Sequence, residues 1–521
     1  MNYADLFRAT LPETVLEVAA LLVLLVDLGL LRKAALKTRV ASAAWIGIAG
    51  CGVAWWAVYA AGHAGFSVGS ELLLAGGRIA GVAQVGILVL TAVTLLLLVG
   101  AEFTRNAGEY VAVVLMAAAG GLIIAAAQDL LVIFVGLELL SLGLYILTAF
   151  AKKSAKSAEA SIKYYLFGGM SAAFLLFGFS YFYGLSGTTS LAGIRDAIAR
   201  SGPSPLLDVA WILVVAGLGF KIAAVPFHLW APDTYEGAPA PAAAFIASVS
   251  KVASFALLLT IGSSWLPPQK SFDLRASELA RQLHQYNPAW AHLALILLIV
   301  AAASMLVGNL AALAQVSVRR LLAYSAVAHA GYMLLGVATV PHYSIHVEGS
   351  AVVFQIPGNM GGSANAVLYY ILTYGLTAIG AFGVVDVVER ATGSDRLDSF
   401  LGLHKRNPHL AAVLLVLFLS LAGIPPLVGF WAKFNLFAAV LHADAGPVSL
   451  SLVALAIAMS AVSLYYYLQV LKRAYVMPAA DETPIHAHPA TLATLLLIAL
   501  AVVLMGVFPA VLQGWIASFG A

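Results

Sequence analysis

Residues 209–228 read Val209-Ala-Trp211-Ile-Leu-Val-Val-Ala-Gly-Leu-Gly-Phe-Lys221-Ile-Ala-Ala-Val-Pro226-Phe-His228. An unbroken apolar run leads to a single lysine, and a proline follows five positions later. As a helix, a run of about 20 residues crosses roughly 30 Å of hydrocarbon. A proline removes a backbone donor and interrupts the helix that contains it. The stretch therefore predicts a transmembrane helix, broken near one end, that carries an ionisable group into the bilayer.

Working outward, comparable runs recur from end to end. They lie near 11–31, 40–62, 79–100, 110–127, 129–150, 159–184, 206–228, 240–261, 290–314, 321–340, 364–388, 409–435, 447–471 and 490–512. Hydrophobic residues make up 62% of the 521 positions and charged residues only 10%, against roughly 25% charged in a soluble domain. No long polar stretch is left to fold outside the bilayer. The sequence thus predicts an all-α polytopic membrane protein of about fourteen transmembrane helices in one integral domain, 1–521. The start, with Asp5, Arg8 and Glu13, lacks the basic opening and small-residue cleavage site of a signal peptide, so the first apolar segment is expected to stay as a helix. The single cysteine, Cys51, cannot by itself hold a zinc ion or an iron–sulfur cluster. With no haem-attachment motif or Gly-rich nucleotide loop either, no redox centre or cofactor is expected in this chain. The net charge of +3 carries no nucleic-acid message, because the basic residues follow membrane topology.

Alternating the spans sorts the basic residues into two groups. Sixteen fall on one side, in connections that include Arg32, Lys33, Lys152, Lys153, Lys156, Arg319, Arg320, Lys405 and Arg406. Seven fall on the other: Arg8, Arg78, Arg195, Arg200, Lys270, Arg275 and Arg281. The richer side is expected to be cytoplasmic, with both termini on the outer face of a bacterial inner (plasma) membrane. Of the 27 basic residues, that leaves Lys163, Lys221, Lys251 and Lys433, all inside predicted spans.

A lysine at a helix centre costs about 2.5–3.5 kcal/mol or more to insert, so such residues are functional candidates by default. Lys221 and Lys251 sit well inside their spans, and Glu138 lies near the middle of the fifth. Burial and mutual proximity push such groups in opposed directions, which suits proton exchange near neutral pH. Lysine, unlike arginine, switches readily between charged and neutral forms. The competing reading is a structural ion pair, but one deep glutamate cannot pair three or four lysines. Lys163 lies only about four residues into its span and has a second reading, snorkelling to the cytoplasmic surface. His329, mid-span in Tyr324-Ser-Ala-Val-Ala-His329-Ala-Gly-Tyr332, is either a proton relay or a packed, hydrogen-bonded residue. His228, at a span end, reads as interfacial.

A second break follows from Gly423-Ile-Pro425-Pro426 within the apolar run 410–441, which as one straight helix would be about 48 Å long. Lys433 comes about two turns later. Two interrupted helices, each with a lysine beside the break, fit the pattern of transporter ion sites at half-helix ends; the simpler alternative is a proline kink in a packed helix. The interrupted spans are five apart. Spans 4–8 and 9–13 (residues 110–261 and 290–471) therefore form two expected five-helix repeats, inverted because each holds an odd number of spans.

These residues also carry a resemblance. Lys221-Ile-Ala-Ala-Val-Pro226-Phe-His228-Leu-Trp230-Ala-Pro232-Asp233-Thr-Tyr235-Glu236-Gly237-Ala-Pro239 is similar to the signature of the antiporter-like, proton-translocating subunits of respiratory complex I (NADH–quinone oxidoreductase). The motifs at 324–332 and 423–434 resemble it too, over nearly the whole chain. The resemblance implies that Glu138 and Lys221 are the paired charges of a first half-channel and that Lys163 is a modulator. Lys251 would be the connecting residue and Lys433 the terminal residue of the second half-channel. Lysine at 433, an end just past the last span and the Asp-x-Tyr-Glu-Gly-Ala-Pro wording at 233–239 make the chain most similar to the subunit N branch. Partners implied are an antiporter-like subunit M and small subunits such as K and J, with flavin mononucleotide, iron–sulfur clusters and quinone held in other subunits. Related subunits occur in multisubunit cation/proton antiporters and membrane-bound hydrogenases, which stand as the alternative.

Overall fold

A computed structural model of the chain describes residues 3–61, 65–68, 71–99, 104–264, 276–339, 344–348, 351–355, 362–479 and 482–519. Lys270 and Arg275, used above for orientation, lie outside them, as does the side chain of Arg281. Among the described residues, twelve helices are long and apolar enough to cross a membrane. The other two expected spans take different forms. The first is α1 (Leu11–Leu25), prolonged by a π-helical turn, Val26–Leu30. The twelfth is split into two shorter apolar helices, described below.

In chain order come α2 (Leu36–Ala61), α3 (Arg78–Leu98), α4 (Ala107–Ala126), α5 (Leu130–Thr148), α6 (Ala155–Ser186) and α7 (Pro205–Ile222). A short helix α8 (Trp230–Gly237) leads to α9 (Ala240–Phe245), a π turn at Ile246–Ser250, and α10 (Lys251–Ser264). Then follow α11 (Ala276–Leu313), α12 (Val318–Ala338), α13 (Gly362–Thr392), α14 (Pro408–Ala422), α15 (Val428–Ala443), α16 (Pro447–Tyr475), α17 (Pro489–Val507) and α18 (Pro509–Ser518). The ninth expected span, 290–314, falls on the apolar part of α11, Trp290–Leu313, and the helix itself starts earlier, at Ala276. Two antiparallel hairpins qualify the all-α expectation. Gly65–Val68 pairs with Glu71–Ala75, and Ser344–Glu348 with Ala351–Gln355.

Local chemistry sets the helix ends. Side-chain oxygens of Asp129, Ser154, Ser204, Ser317 and Asn407 accept from the first free N–H groups of α5, α6, α7, α12 and α14, which otherwise lack partners. The interrupted spans end alike. Ala223 (φ 59°) and Gly423 (φ 88°) both adopt the left-handed conformation. In the first, Ala223 N–H donates to Phe220 O and Ala224 N–H to Gly219 O; in the second, Gly423 N–H donates to Ser420 O and Ile424 N–H to Leu419 O. These are matching Schellman closures. Each precedes a cis X–Pro bond, Val225–Pro226 and Pro425–Pro426.

A second motif also occurs twice. Leu130 N–H donates to Thr189 O and Leu191 N–H to Gln128 O, tying the start of α5 to the loop after α6. Val318 N–H donates to Asp395 O and Leu397 N–H to Val316 O, tying the start of α12 to the loop after α13. The side chains repeat the link with roles exchanged: Thr189 donates to the Asp129 carboxylate, and Ser317 to that of Asp395.

Candidate functional site

Lys221, Lys251, His329 and Lys433 are all buried in the centre of the bundle. The last turn of α7 directs Lys221 against α5, where its Nζ donates to Ser141 Oγ at 2.5 Å. Ser141 in turn donates to Leu137 O. The rings of Phe220 and Tyr145 lie 5.6 and 5.9 Å from the ammonium. Glu138 sits three residues before Ser141, and so on the same face of α5. Glu138 and Lys221 form no ion pair within 4.0 Å; the Ser141 hydroxyl lies beside the lysine instead. None of Lys221, Lys251 and Lys433 pairs with a carboxylate among the described residues, so a purely structural ion pair is not what these lysines make.

Lys251 follows the π turn directly, and its Nζ donates to Ala326 O on α12 at 2.6 Å. It lies 5.6 Å from the Tyr374 ring, whose other neighbour is His329, 4.8 Å away between ring centroids. His329 Nδ1 is 2.8 Å from Tyr370 Oη and Nε2 is 3.5 Å from Tyr467 Oη. His329 is therefore packed and hydrogen-bonded, with Lys251 against the far side of one of its tyrosines. A small cavity beside it is lined by Tyr370, Thr373, Thr377, Ser420, Leu421 and Ala432. Across the cavity, Lys433 closes the end of α14. Its Nζ donates to Leu421 O at 3.1 Å, Ala422 O at 2.9 Å and Ser460 Oγ at 2.8 Å. A cation there meets both the free carbonyls and the negative end of the helix dipole.

Lys163 stands apart from this line. Its side chain is 40% exposed, and the ammonium pairs with Glu159 and Asp233, each at 2.7 Å. It belongs to an ionic cluster where α6, α8 and α12 meet. Arg320 Nη1 reaches Asp233 at 2.6 Å and Glu236 at 3.1 Å, and Lys156 reaches Glu236 at 3.0 Å. Burial works against the charged forms of Asp233 and Glu236. Hydrogen bonds from Lys163 and Arg320, and from Lys156 and Arg320, outweigh it and hold both carboxyls below their usual range. His228 differs from its interfacial reading: it is buried in the segment after the first break, against the ring of Tyr324. Ser141, Ser460 and the ring of tyrosines around His329 had no signal in the sequence beyond lying in apolar helices. Glu13 was read as preceding the first span, yet it is buried in α1 and accepts from Gln84. Among the described residues no group of three or more His, Cys, Asp or Glu is placed to hold a metal ion.

Long apolar helices, two of them broken alike, and a set of buried lysines define a class, and a family model gives it a description. Residues 127–266 and 276–462 match the NADH:quinone oxidoreductase/Mrp antiporter transmembrane family. The chain is also 47% identical to NADH-quinone oxidoreductase subunit N 2 of Acidobacterium capsulatum, over 99% of both chains. It belongs to the NADH-quinone oxidoreductase subunit N family. A chain of respiratory complex I from Thermus thermophilus, solved with bound aureothin, superposes with a TM-score of 0.72 at 31% identity, covering 97% of this chain and 98% of that one. A chain of the Mrp complex from Dietzia shares the fold, with a TM-score of 0.75 at 21% identity over 98% and 97%.

Proposed function

We infer that this chain carries protons outward across the membrane, as one pumping unit of the oxidoreductase to which its family belongs. The line runs from Glu138 through Lys221, Lys251 and His329 to Lys433. The observation that carries this reading is the spacing of three buried lysines that lack carboxylate partners, each held instead by a hydroxyl or a carbonyl. Such partners accept from an ammonium without neutralising it, so the lysines keep a proton that can leave. The Ser141 hydroxyl accepts from Lys221 and lies one turn from Glu138, an arrangement suited to passing charge between them. His329 and its tyrosines supply groups that both donate and accept between Lys251 and Lys433.

Electron transfer is assigned to other subunits, which would hold the flavin, the iron–sulfur clusters and the quinone site, and subunits M, K and J are the expected neighbours. Quinone reduction there would alter the charge state near Glu138 and pass along the lysines. Moving one charge against 100 mV costs about 2.3 kcal/mol, which pKa changes of a few units at about 1.4 kcal/mol each can supply. Two inverted five-helix units, 110–261 and 290–471, are part of the same proposal. They are supported by the matching Schellman breaks, by the twice-used bridge at α5 and α12, and by the two segments matched by the family model. Both termini are assigned to the outer face on the basic-residue asymmetry.

The test uses the assembled enzyme in proteoliposomes. Lys221→Ala and Glu138→Ala should abolish or sharply lower proton uptake per electron. Full stoichiometry in an assembled Lys221→Ala enzyme would sink the reading.

A further inference from the structure

The segment between Lys221 and Lys251 does more than connect two spans. After the first break the chain forms α8, whose Asp233 and Glu236 face Arg320. The preceding residue, Arg319, is buried and donates from Nη1 to Ala238 O at 2.7 Å and to Glu236 O at 3.4 Å, while Nη2 pairs with Glu389 of α13 at 2.5 Å. Two consecutive arginines at the start of α12 therefore hold the carboxylates and the terminal carbonyls of α8 together. Arginine suits this task, because its fork donates in several fixed directions and keeps its charge. Gly237 brings α8 close against α6: a Cβ there would lie 2.6 Å from that of Ala160. The short helix is thus gripped from two sides.

The same α12 holds Lys251 and carries His329, the next two members of the line. Ala326 O, six residues beyond Arg320, accepts from Lys251, and His329 follows one turn later. A rigid helix gripping α8 at one end and Lys251 further along links the segment after the first break to the second unit mechanically. Lys163 joins at one point only, the Asp233 carboxylate that Arg320 also holds.

We propose that Arg319 and Arg320 are positioning residues that clasp α8 to α12 and couple the two half-channels, and that Lys163 acts on proton transfer through Asp233 rather than through Lys221. This rests on the proton-carrying reading above. Opening the clasp frees α8, and with it the end of α7 that positions Lys221 and the start of α9 that leads to Lys251. The charge state of Lys163 reaches the line through the Asp233 carboxylate, which Arg320 also holds together with Glu236.

The experiment compares Arg320→Ala, Arg320→Lys, Lys163→Ala, Asp233→Asn and the double variants in assembled enzyme in proteoliposomes, reading quinone-reduction rate and protons moved per electron. Arg320→Ala and Lys163→Ala should each lower the proton ratio by about twofold or more; Lys163→Ala should not worsen an Asp233→Asn background, and Arg320→Ala should worsen it less than it worsens the wild type, because only its Glu236 contact is left to lose. Arg320→Lys should restore part of the loss. Effects that multiply in the Lys163→Ala, Asp233→Asn double variant, or an unchanged ratio in assembled Arg320→Ala enzyme, would overturn the proposal. If Arg320→Ala fails to assemble, as judged by native gel, the near-isosteric Asp233→Asn with Lys163→Ala carries the same cycle. Lys221→Ala in the same assay separates the two readings. A full ratio there removes the proton-carrying reading, whereas loss there with no effect at Arg320 or Asp233 removes only the clasp.

Discussion

Ser141 and Lys433 set the terms at the scale of single residues. Ser141→Ala removes the sole hydrogen-bond partner of Lys221 among the described residues, and a buried donor left unsatisfied costs about 1–3 kcal/mol, more when charged. The variant should inactivate at lower temperature and pump fewer protons per electron, both measurable on purified enzyme; unchanged values would mean that another group takes the hydroxyl's place. At the breaks, Ala223 occupies a left-handed position that costs a non-glycine residue about 1–2 kcal/mol. Ala223→Gly should therefore be tolerated. Gly423→Ala should be costly, because it adds that strain and sets a Cβ 3.0 Å from Lys433 Cδ and 3.2 Å from Nζ. Thermal inactivation of the two variants checks the opposite outcomes. The lysines and Glu138 were legible because a charge inside an apolar run is conspicuous. Their partners were not, since a serine or tyrosine in a membrane helix has many ordinary reasons to be there. Thr377, for instance, bonds back to its own helix, at Thr373 O.

Elements were legible wherever hydrophobicity alone decides them, and less so where packing does. The breaks at 223 and 423 followed from proline chemistry, but the π turn before Lys251 is encoded by no periodicity. The hairpins are short, and only the alternation Ile345, Val347 and Val352, Phe354 hints at the second. Helix pairs here approach through glycine: a Cβ on Gly308 of α11 would sit 2.6 Å from Ala328 N of α12. Gly308→Val should hold these helices apart and reduce the amount of assembled complex on native gels, while Gly52→Val, on an open surface with nothing within 4 Å, should not. The clasp at α8 has a defined pH sense. Asp233 and Glu236 titrate below their ordinary values of 3.8 and 4.5, so its contribution is complete above those values and drains away as pH falls through the lower folded ones. Over about pH 5–8 the normalised pumping profiles of wild type and Asp233→Asn should superpose; a step near neutrality lost in the variant would contradict this.

For the molecule as a whole, orientation is the cleanest matter to test. Cys51 is 3% exposed, so introduced cysteines can be labelled against a quiet background. Lys153→Cys should react with an impermeant reagent only from the cytoplasmic side, and Arg200→Cys only from the outside; the reverse pattern would invert the topology. The proposed two-unit plan is only faintly legible in the sequence, because chemistry would disguise it: the second unit would have histidine where the first has glutamate, and no counterpart of Lys251. Backbone closure preserves what side chains have lost, as the paired Schellman ends at 223 and 423 do. Around those two closures the cations are not equivalent. Lys221 stands before its break on one hydroxyl, whereas Lys433 stands after its break on two carbonyls and a hydroxyl. In the proposed order, loading is easy and discharge is stiff, as in a turnstile whose arm swings freely inward and must be forced at the exit. The back-pressure of an energised membrane would then be felt first at residue 433, where three bonds must yield before a proton leaves.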